Sequence, residues 1–262
     1  MFDLSYPILK PIIDTHTHLC DPVFDDDRGE VLKRARDAGV AAIIAVSENL
    51  FDAQRNMELA VKHPILRPAA GLYPTHLDLR QAEEMIDFIR KKQTQLFALG
   101  EVGLDYWVVK EDKDRECQRR IFSRFIELSA ELDMVLNVHS RSAGRHVINM
   151  LLNHNAKKVQ LHAFDGKAST ALPAVEAGYF FSIPPSIIRS RQKQKLVKQL
   201  PLSHLLIETD SPVLSPESGQ RNEPANAALV ADIVAEIKNI PRDEVIEAAF
   251  RNTCQLYGDL MF

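Results

Sequence analysis

The chain has 262 residues, of which 45% are hydrophobic and 26% charged, and a formal net charge of −4 at pH 7. A chain of this length folds without disulfides, and its three widely spaced cysteines form no CxxC or Cys/His pattern, which argues against a structural zinc cluster and for a reducing compartment. The slightly acidic balance argues against a broad basic surface for nucleic acid, although bound metal ions supply positive charge locally in a nuclease.

The N-terminal segment MFDLSYPILKPIIDTHTHL lacks the basic stretch, the long apolar core and the small-residue cleavage site of a signal peptide. No window of the chain approaches 18 uninterrupted apolar residues, the minimum for a membrane-spanning helix. We therefore expect an intracellular protein, cytoplasmic or nuclear, that does not associate with membranes.

Short apolar runs alternate with amphipathic stretches along the chain. Runs rich in β-branched or aromatic residues predict strands at Ile12–Leu19, Val40–Ser47, Ile65–Tyr73, Leu96–Leu104, Val135–Ser140, Lys158–Phe164, Tyr179–Pro184 and Leu205–Asp210. Amphipathic patterns predict helices at Asp25–Ala38, Phe51–Lys62, Gln81–Lys92, Lys113–Leu132, Ala143–His154 and Arg189–Gln199, and two more between Ala225 and Gly258, divided at Pro241.

This alternation predicts an α/β fold, and eight strand–helix units in about 250 residues match the size of a TIM (β/α)8 barrel. Continuously apolar runs such as AAIIAV and VLNV are typical of strands that are buried on both faces. No linker or shift in composition marks a second domain, so we expect one domain over residues 1–262. An open, doubly wound sheet is the alternative, and the positions of the polar residues decide between the two.

Two histidines, His16 and His18, end the first predicted strand. Residues two apart share one face of a strand, so both imidazoles point the same way, as ligands of one metal ion must. Further polar residues stand at the ends of four later strands: Glu101, His139, His162 and Asp210. In a barrel these ends converge at the C-terminal mouth, where four histidines and two carboxylates suit a pair of ions bridged by a carboxylate.

The ordered motifs of the chain resemble those of the TatD family of metal-dependent hydrolases, a branch of the amidohydrolase-like barrels. The resemblance runs essentially from end to end. It rests on DTHTHL (Asp14–Leu19), GEVGLDY (Gly100–Tyr106), VHSR (Val138–Arg141), LHAFDG (Leu161–Gly166), ETDSP (Glu208–Pro212) and RNEP (Arg221–Pro224).

The resemblance implies a ligand set for two divalent ions, Mg²⁺, Mn²⁺ or Zn²⁺. One ion is held by His16, His18, Glu101 and Asp210, and a second by His139, His162 and the bridging Glu101. It also implies a nuclease with 3′-exonuclease and abasic-site activity, whose substrate is single-stranded nucleic acid or a 3′ end. Asp210 and Glu101 are then the expected catalytic residues, with Asp210 taking the proton of the attacking water.

The chain departs from the family pattern in GLYPTH, where Tyr73 stands at the position of a frequent histidine. Tyr73 or His76 is therefore expected to contact the substrate phosphate. Arg141 and Arg221 are the other substrate-binding candidates, with ordinary loop salt bridges as the alternative. Trp107, just past the fourth predicted strand, either stacks on an unpaired base or covers the barrel mouth.

We therefore expect a metal-dependent deoxyribonuclease that acts on DNA, with RNA as a further substrate. A hydrolase of a small amide, ester or phosphoester is the first alternative, because the same centre would polarise a carbonyl group. A metal-stabilised interaction module without activity is the second alternative. The complete ligand set argues against it, because an inactive barrel has no need of an open metal site.

Overall fold

The structure is a computed structural model that describes residues 10–260. Residues 1–9, which belong to the segment in which we found no signal peptide, and residues 261–262 lie outside the described part. The assignment of residues 1–262 to one domain stays a prediction. No helix within residues 10–260 combines the length and the apolar composition that spanning a membrane requires.

Eight parallel strands form one sheet in chain order, so that each strand pairs with the next along the chain. The strands are β1 (Ile12–Thr17), β2 (Val40–Ala45), β3 (Leu66–Ala70), β4 (Ala98–Gly103), β5 (Val135–His139), β6 (Val159–Leu161), β7 (Phe180–Ile183) and β8 (Leu205–Ile207).

The first and last strands lie side by side and close the sheet into a barrel. The backbone nitrogen of Asp210 donates to the carbonyl oxygen of His16 at 2.8 Å, and that of His18 donates to Ser211 at 2.8 Å. A sequential strand order with both ends in contact differs from a doubly wound sheet, in which the order reverses at a switch point. The predicted (β/α)8 barrel is therefore confirmed, and the open-sheet alternative is wrong.

Helices cover the outside of the barrel within residues 10–260. They are α1 (Arg28–Asp37), α2 (Leu50–Lys62), α3 (Leu79–Lys92), α4 (Asp112–Leu132), α5 (Gly144–Asn153), α6 (Ala168–Glu176), α7 (Arg191–Gln199), α8 (Ala227–Lys238) and α9 (Arg242–Tyr257). We made no prediction of α6. It has nine residues and contains Pro173, which lacks a backbone N–H, so its pattern is short and interrupted.

The interior of the barrel changes from apolar to polar toward the C-terminal ends of the strands. Near the N-terminal ends, Val135 and Phe180 pack inside the barrel with residues of α9. Two positions further along the same strands lie Asn137 and Ser182, which are both fully buried. Because residues two apart share a face, the next inward position of β5 is His139, at the mouth.

Candidate metal centre

Four side chains from β1, β4 and the end of β8 form the first group of donor atoms. The Nε2 atoms of His16 and His18 lie 3.3 Å apart. Each lies 3.4 Å from Oδ1 of Asp210. Their distances to Oε2 of Glu101 are 3.7 and 3.4 Å, respectively. All four residues are buried, so these donor atoms converge on one small volume.

The second group uses the other oxygen of the same glutamate. Oε1 of Glu101 lies 2.6 Å from Nδ1 of His139 and 2.7 Å from Nε2 of His162. These two imidazole nitrogens are 3.2 Å apart. One carboxylate thus faces two histidine pairs at once. We call the six residues of both groups the donor cluster.

The donor cluster has the donor atoms that divalent metal ions require. Zinc–nitrogen and zinc–oxygen bonds of about 2.0–2.2 Å place neighbouring ligand atoms of one ion about 3 to 3.5 Å apart. The first group shows separations of 3.3 to 3.7 Å. In the second group the two imidazole nitrogens are 3.2 Å apart, whereas Oε1 of Glu101 lies at hydrogen-bond distances of 2.6 and 2.7 Å from them. Imidazole nitrogens suit Zn²⁺ and other transition metals, while the carboxylates also suit Mg²⁺ and Mn²⁺.

Glycine brings β4 and β5 close together beside the donor cluster. Gly103 has a φ of +145°, and a Cβ atom there would lie 2.1 Å from the carbonyl oxygen of His139. Only glycine allows this approach. Gly103, the second glycine of GEVGLDY, therefore allows β4 and β5 to approach closely enough for Glu101 and His139 to come into contact.

The deprotonated nitrogen of His16 points at the donor cluster because its other nitrogen is bound. Nδ1 of His16 lies 2.7 Å from Oδ1 of Asn137. An amide oxygen only accepts hydrogen bonds, so Nδ1 carries the proton and Nε2 keeps its lone pair. The amide group of Asn137 is held by donating to the carbonyl oxygen of Thr15 at 2.9 Å.

A carboxylate outside the donor cluster orients His139 in the same way. Oδ2 of Asp105 lies 3.2 Å from Nε2 of His139, which leaves Nδ1 to face Glu101. Such outer carboxylates fix the tautomer and raise the basicity of a ligating imidazole. The other oxygen of Asp105 accepts hydrogen bonds from the backbone nitrogens of Trp107 and Val108, both at 2.8 Å.

His162 is supported less directly. Its Nδ1 atom is buried and has no hydrogen-bond partner among residues 10–260, and Oε2 of Glu208 is 4.0 Å away. Burial raises the pKa of Glu208 to about 7. Glu208 accepts hydrogen bonds from the backbone of Ala163 and the hydroxyl of Ser182. The buried amine of Lys193 donates to the carbonyl oxygen of Ala163 at 2.7 Å.

His16 and Glu101 have the ionisation states that bind cations, whereas the charge of Glu101 outweighs burial and raises the pKa of His139 to about 9. Burial and the charge of the neighbouring His162 together lower the pKa of His16 to about 3, so this imidazole is neutral at pH 7. Burial alone would raise the pKa of Glu101, but the charges of His162 and His139 outweigh it and hold that pKa well below the usual value. A neutral imidazole and an ionised carboxylate are the forms that bind cations.

The donor cluster lies at the floor of a cavity of about 610 Å³, formed by the loops at the C-terminal mouth. Of the predicted substrate contacts, Tyr73 and Arg141 line this cavity. The Tyr73 hydroxyl donates to Oδ2 of Asp105 at 3.4 Å, and its ring centroid lies 5.0 Å from that of His139. Tyr73 therefore occupies the wall beside the second group of donors.

The structure places the other two predicted substrate contacts outside the lining of this cavity. His76 lines a separate depression together with Asn49 and Phe51. The guanidinium of Arg221 forms two hydrogen bonds with the carboxylate of Asp27, at 2.9 and 2.6 Å, which is the loop salt bridge considered as the alternative. A role of His76 or Arg221 in substrate binding stays a prediction that this geometry does not support.

Comparisons with known proteins agree with the barrel fold and identify the family of the chain. A family model described as "TatD related DNase" matches residues 13–258. The chain is 43% identical over 261 residues to "Deoxyribonuclease TATDN3" of Homo sapiens, covering 95% of this chain and 95% of that protein. It is 31% identical over 247 residues to "Uncharacterized metal-dependent hydrolase MJ1582" of Methanocaldococcus jannaschii, covering 94% and 96%.

A solved structure of a TatD homologue has the same fold. The crystal structure of "YJJV, TATD Homolog" from Escherichia coli superposes with a TM-score of 0.88 at 29% identity, covering 95% of this chain and 98% of that chain. The resemblance inferred from the ordered motifs is thereby confirmed. With the family model spanning nearly all of the barrel, the chain belongs to the TatD-related DNase family of hydrolases.

Proposed function

We propose that the chain is a metal-dependent deoxyribonuclease that hydrolyses phosphodiester bonds with two divalent ions, Mg²⁺, Mn²⁺ or Zn²⁺. The observation that carries this proposal is the division of the Glu101 carboxylate, whose two oxygens face different histidine pairs. A bridging carboxylate of this kind holds two ions at the short separation that phosphodiester hydrolysis uses. The names of the relatives, deoxyribonuclease and metal-dependent hydrolase, also support a hydrolytic reaction.

In this proposal His16, His18, Asp210 and Glu101 would hold one ion, and His139, His162 and Glu101 would hold a second. When bound, the two ions neutralise charge on the phosphate and lower the pKa of a water molecule. Asp210 lines the cavity, and its ionised carboxylate would accept a proton from the attacking water. The guanidinium of Arg141 binds a phosphate oxygen from the cavity wall.

The substrate that best fits the cavity is an unpaired strand, either a 3′ end or an abasic position. All six residues of the donor cluster are buried beneath a cavity of about 610 Å³. Enzymes with enclosed sites act on single strands or extruded nucleotides, because the target atoms are out of reach inside a duplex. We therefore propose 3′-exonuclease and abasic-site activity on DNA, with single-stranded RNA as a further substrate.

The proposal is tested with protein that has been stripped of metal and reloaded with Mg²⁺, Mn²⁺ or Zn²⁺, with occupancy measured by elemental analysis. Labelled single strands, blunt duplexes and strands with an abasic site are the substrates. We expect cleavage only after reloading, with single strands cut faster than blunt duplexes. Glu101→Gln and Asp210→Asn should each lower the rate by more than about 100-fold, because even outer partners of ligands cost 10- to 100-fold.

Glu127→Gln is the matched control, because Glu127 is an exposed acid on α4, outside the cavity. It should retain full activity. Unchanged cleavage in the Glu101→Gln and Asp210→Asn variants would contradict the assignment of the site. Hydrolysis of small esters or amides without any cleavage of DNA would favour the small-substrate alternative.

A further inference from the structure

Exposed apolar side chains are concentrated around the mouth of the barrel. Eight large hydrophobic residues are exposed within residues 10–260, and six of them lie on the loops or helix starts that follow the strands. These six are Val23, Phe51, Trp107, Val108, Ile188 and Val213. Apolar residues that collect around a functional cavity mark a surface for a ligand.

Trp107 is the largest member of this set and the only tryptophan of the chain. It is 58% exposed, so the neighbouring loops do not cover the indole ring. This exposure argues against the alternative that Trp107 closes the barrel mouth by packing on a neighbouring loop. The ring is therefore available to a ligand.

The backbone of Trp107 is fixed relative to the donor cluster. The carboxylate of Asp105 accepts hydrogen bonds from the backbone nitrogens of Trp107 and Val108 at 2.8 Å. The same carboxylate lies 3.2 Å from the imidazole of His139. In addition, the backbone nitrogen of Tyr106 donates to the carbonyl oxygen of Arg141 at 3.0 Å. The loop that carries the indole is thus joined directly to a proposed metal ligand.

Two cations accompany the ring. The guanidinium carbon of Arg141 lies 5.4 Å from the indole ring centroid, and the amine of Lys110 lies 5.0 Å from it. Arg141 also lines the cavity that contains the donor cluster, so one cation lies both over the indole ring and in the cavity wall. A flat apolar surface with adjacent cations matches a nucleotide, which pairs an aromatic base with an anionic phosphate.

We propose that Trp107 is a stacking platform for the unpaired base of the nucleotide next to the scissile phosphate, and that Arg141 holds the phosphate between this base and the donor cluster. The inference rests on the proposed nuclease function and names the residue that selects unpaired nucleotides. It requires that indole and base be in direct contact in the bound state.

The first test uses the single tryptophan as its own reporter. Metal-free protein in EDTA, which does not hydrolyse the strand, is titrated with an unlabelled single-stranded oligonucleotide while the indole emission is recorded. We expect saturable quenching, because a stacked base contacts the indole directly. Binding of a fluorescein-labelled strand, followed by anisotropy, establishes the concentration at which the protein is saturated.

The second test compares Trp107→Leu with Trp107→Phe, and uses Phe51→Leu as the matched control. Phe51 is 66% exposed at the same end of the barrel and, like Trp107, is outside the lining of the cavity, but it belongs to the separate depression that His76 lines. On metal-loaded protein, Trp107→Leu should raise KM for a single strand about tenfold, with a small change in kcat, because base stacking contributes on the order of 1–3 kcal/mol per base. The KM of Trp107→Phe should lie between those of the wild type and Trp107→Leu, and the KM of Phe51→Leu should equal that of the wild type.

The decisive comparison removes the base instead of the indole. A strand with a reduced abasic residue next to the scissile phosphate should be bound equally by wild type and Trp107→Leu. Indole emission that stays unchanged at saturation, or a Trp107→Leu variant whose KM equals that of Phe51→Leu, overturns the platform while leaving the nuclease intact. A wild type that cleaves no DNA in any metal overturns the proposed function itself.

Discussion

The side-chain oxygen of Asn137 accepts a hydrogen bond from Nδ1 of His16 at 2.7 Å, and this contact determines which nitrogen of His16 faces the donor cluster. Asn137 is fully buried in β5, two positions before His139 on the same face of the strand. One strand thus contributes a proposed ligand and, beneath it, the residue that orients another. Asn137 matters to the proposed metal site although its side chain belongs to neither donor group.

Asn137→Ala should lower metal affinity by about 10- to 100-fold, because His16 loses the partner that fixes its tautomer and ring orientation. The affinity is measured by competition with a chromogenic chelator. Asn56→Ala is the matched control, since Asn56 is also a fully buried asparagine that donates to backbone carbonyl oxygens, here of Ala45 and Val46. Equal loss of metal affinity in both variants would show a general effect of destabilisation instead of an orienting role.

A second prediction concerns Tyr257, at the end of α9. Its hydroxyl donates to Oε1 of Gln160 at 2.6 Å and accepts from Nδ2 of Asn137 at 3.2 Å. Helix α9 therefore holds in place the two buried amides that lie below the donor cluster. Tyr257→Phe leaves two buried amides without this partner. We expect a loss of about 1–3 kcal/mol in the free energy of unfolding, measured by urea denaturation, together with weaker metal binding. A variant with wild-type stability would contradict this role.

Much of the site was predictable because strands impose a period of two. His16 and His18 share a face of β1, and the inward positions of β5 and β6 lead through buried amides to His139 and His162. The barrel places all strand ends at one mouth, so the polar residues there were expected to converge. The same period of two places Asn137 and Gln160 one inward position below His139 and His162. We had not predicted that these two amides belong to the site.

Other parts of the site depend on contacts that no local pattern contains. Asp105 lies 3.2 Å from His139 across 34 positions of sequence, a contact that no local pattern indicates. Lys193 lies on α7 among other basic residues, yet it is buried and donates a hydrogen bond to the carbonyl oxygen of Ala163. Arg221 lies 194 positions from Asp27, its partner. Such pairs follow from tertiary packing of loops, which sequence periodicity does not describe.

A third prediction separates the two roles considered for Arg221. If its main role is the bidentate contact with Asp27, Arg221→Ala should lower the melting temperature at low salt without raising KM for DNA. Thermal denaturation and steady-state kinetics on the same preparation measure both quantities. Asp27→Ala is the matched control, since it breaks the same pair and should give the same phenotype. A raised KM at unchanged melting temperature would restore Arg221 as a substrate contact.

Metal removal should destabilise the fold, because the donor cluster gathers side chains from β1, β4, β5, β6 and the loop after β8. A ligand present at 100 times its dissociation constant stabilises the native state by about 2.7 kcal/mol. For a protein of this size that corresponds to a fall of roughly 5–10 °C in melting temperature on adding EDTA. The fall should be much smaller in Glu101→Gln, and an equal fall in both proteins would place the stabilising metal elsewhere.

The last prediction concerns Tyr179, a buried tyrosine outside the donor cluster, and the pH dependence of its contribution to the free energy of unfolding. The Tyr179 hydroxyl donates to the carbonyl oxygen of Ala156 at 3.0 Å, and burial raises the pKa of Tyr179 to about 12. In the unfolded chain a tyrosine ionises with a pKa of about 10. The pKa of Tyr179 is higher in the folded chain than in the unfolded chain. The contribution of its protonated hydroxyl to the free energy of unfolding is therefore fully present below pH 10 and is lost as pH rises toward 12.

Tyr179→Phe should therefore cost about 1 kcal/mol of unfolding free energy at pH 8, through the lost hydrogen bond. The difference between wild type and variant should shrink between pH 10 and 12, and then favour the variant, because phenylalanine carries no ionisable group. Urea denaturation at pH 8, 10 and 11 measures this trend. A difference that stays constant with pH would mean that the phenol ionises equally well in the folded and unfolded chains, which is incompatible with its burial against Ala156.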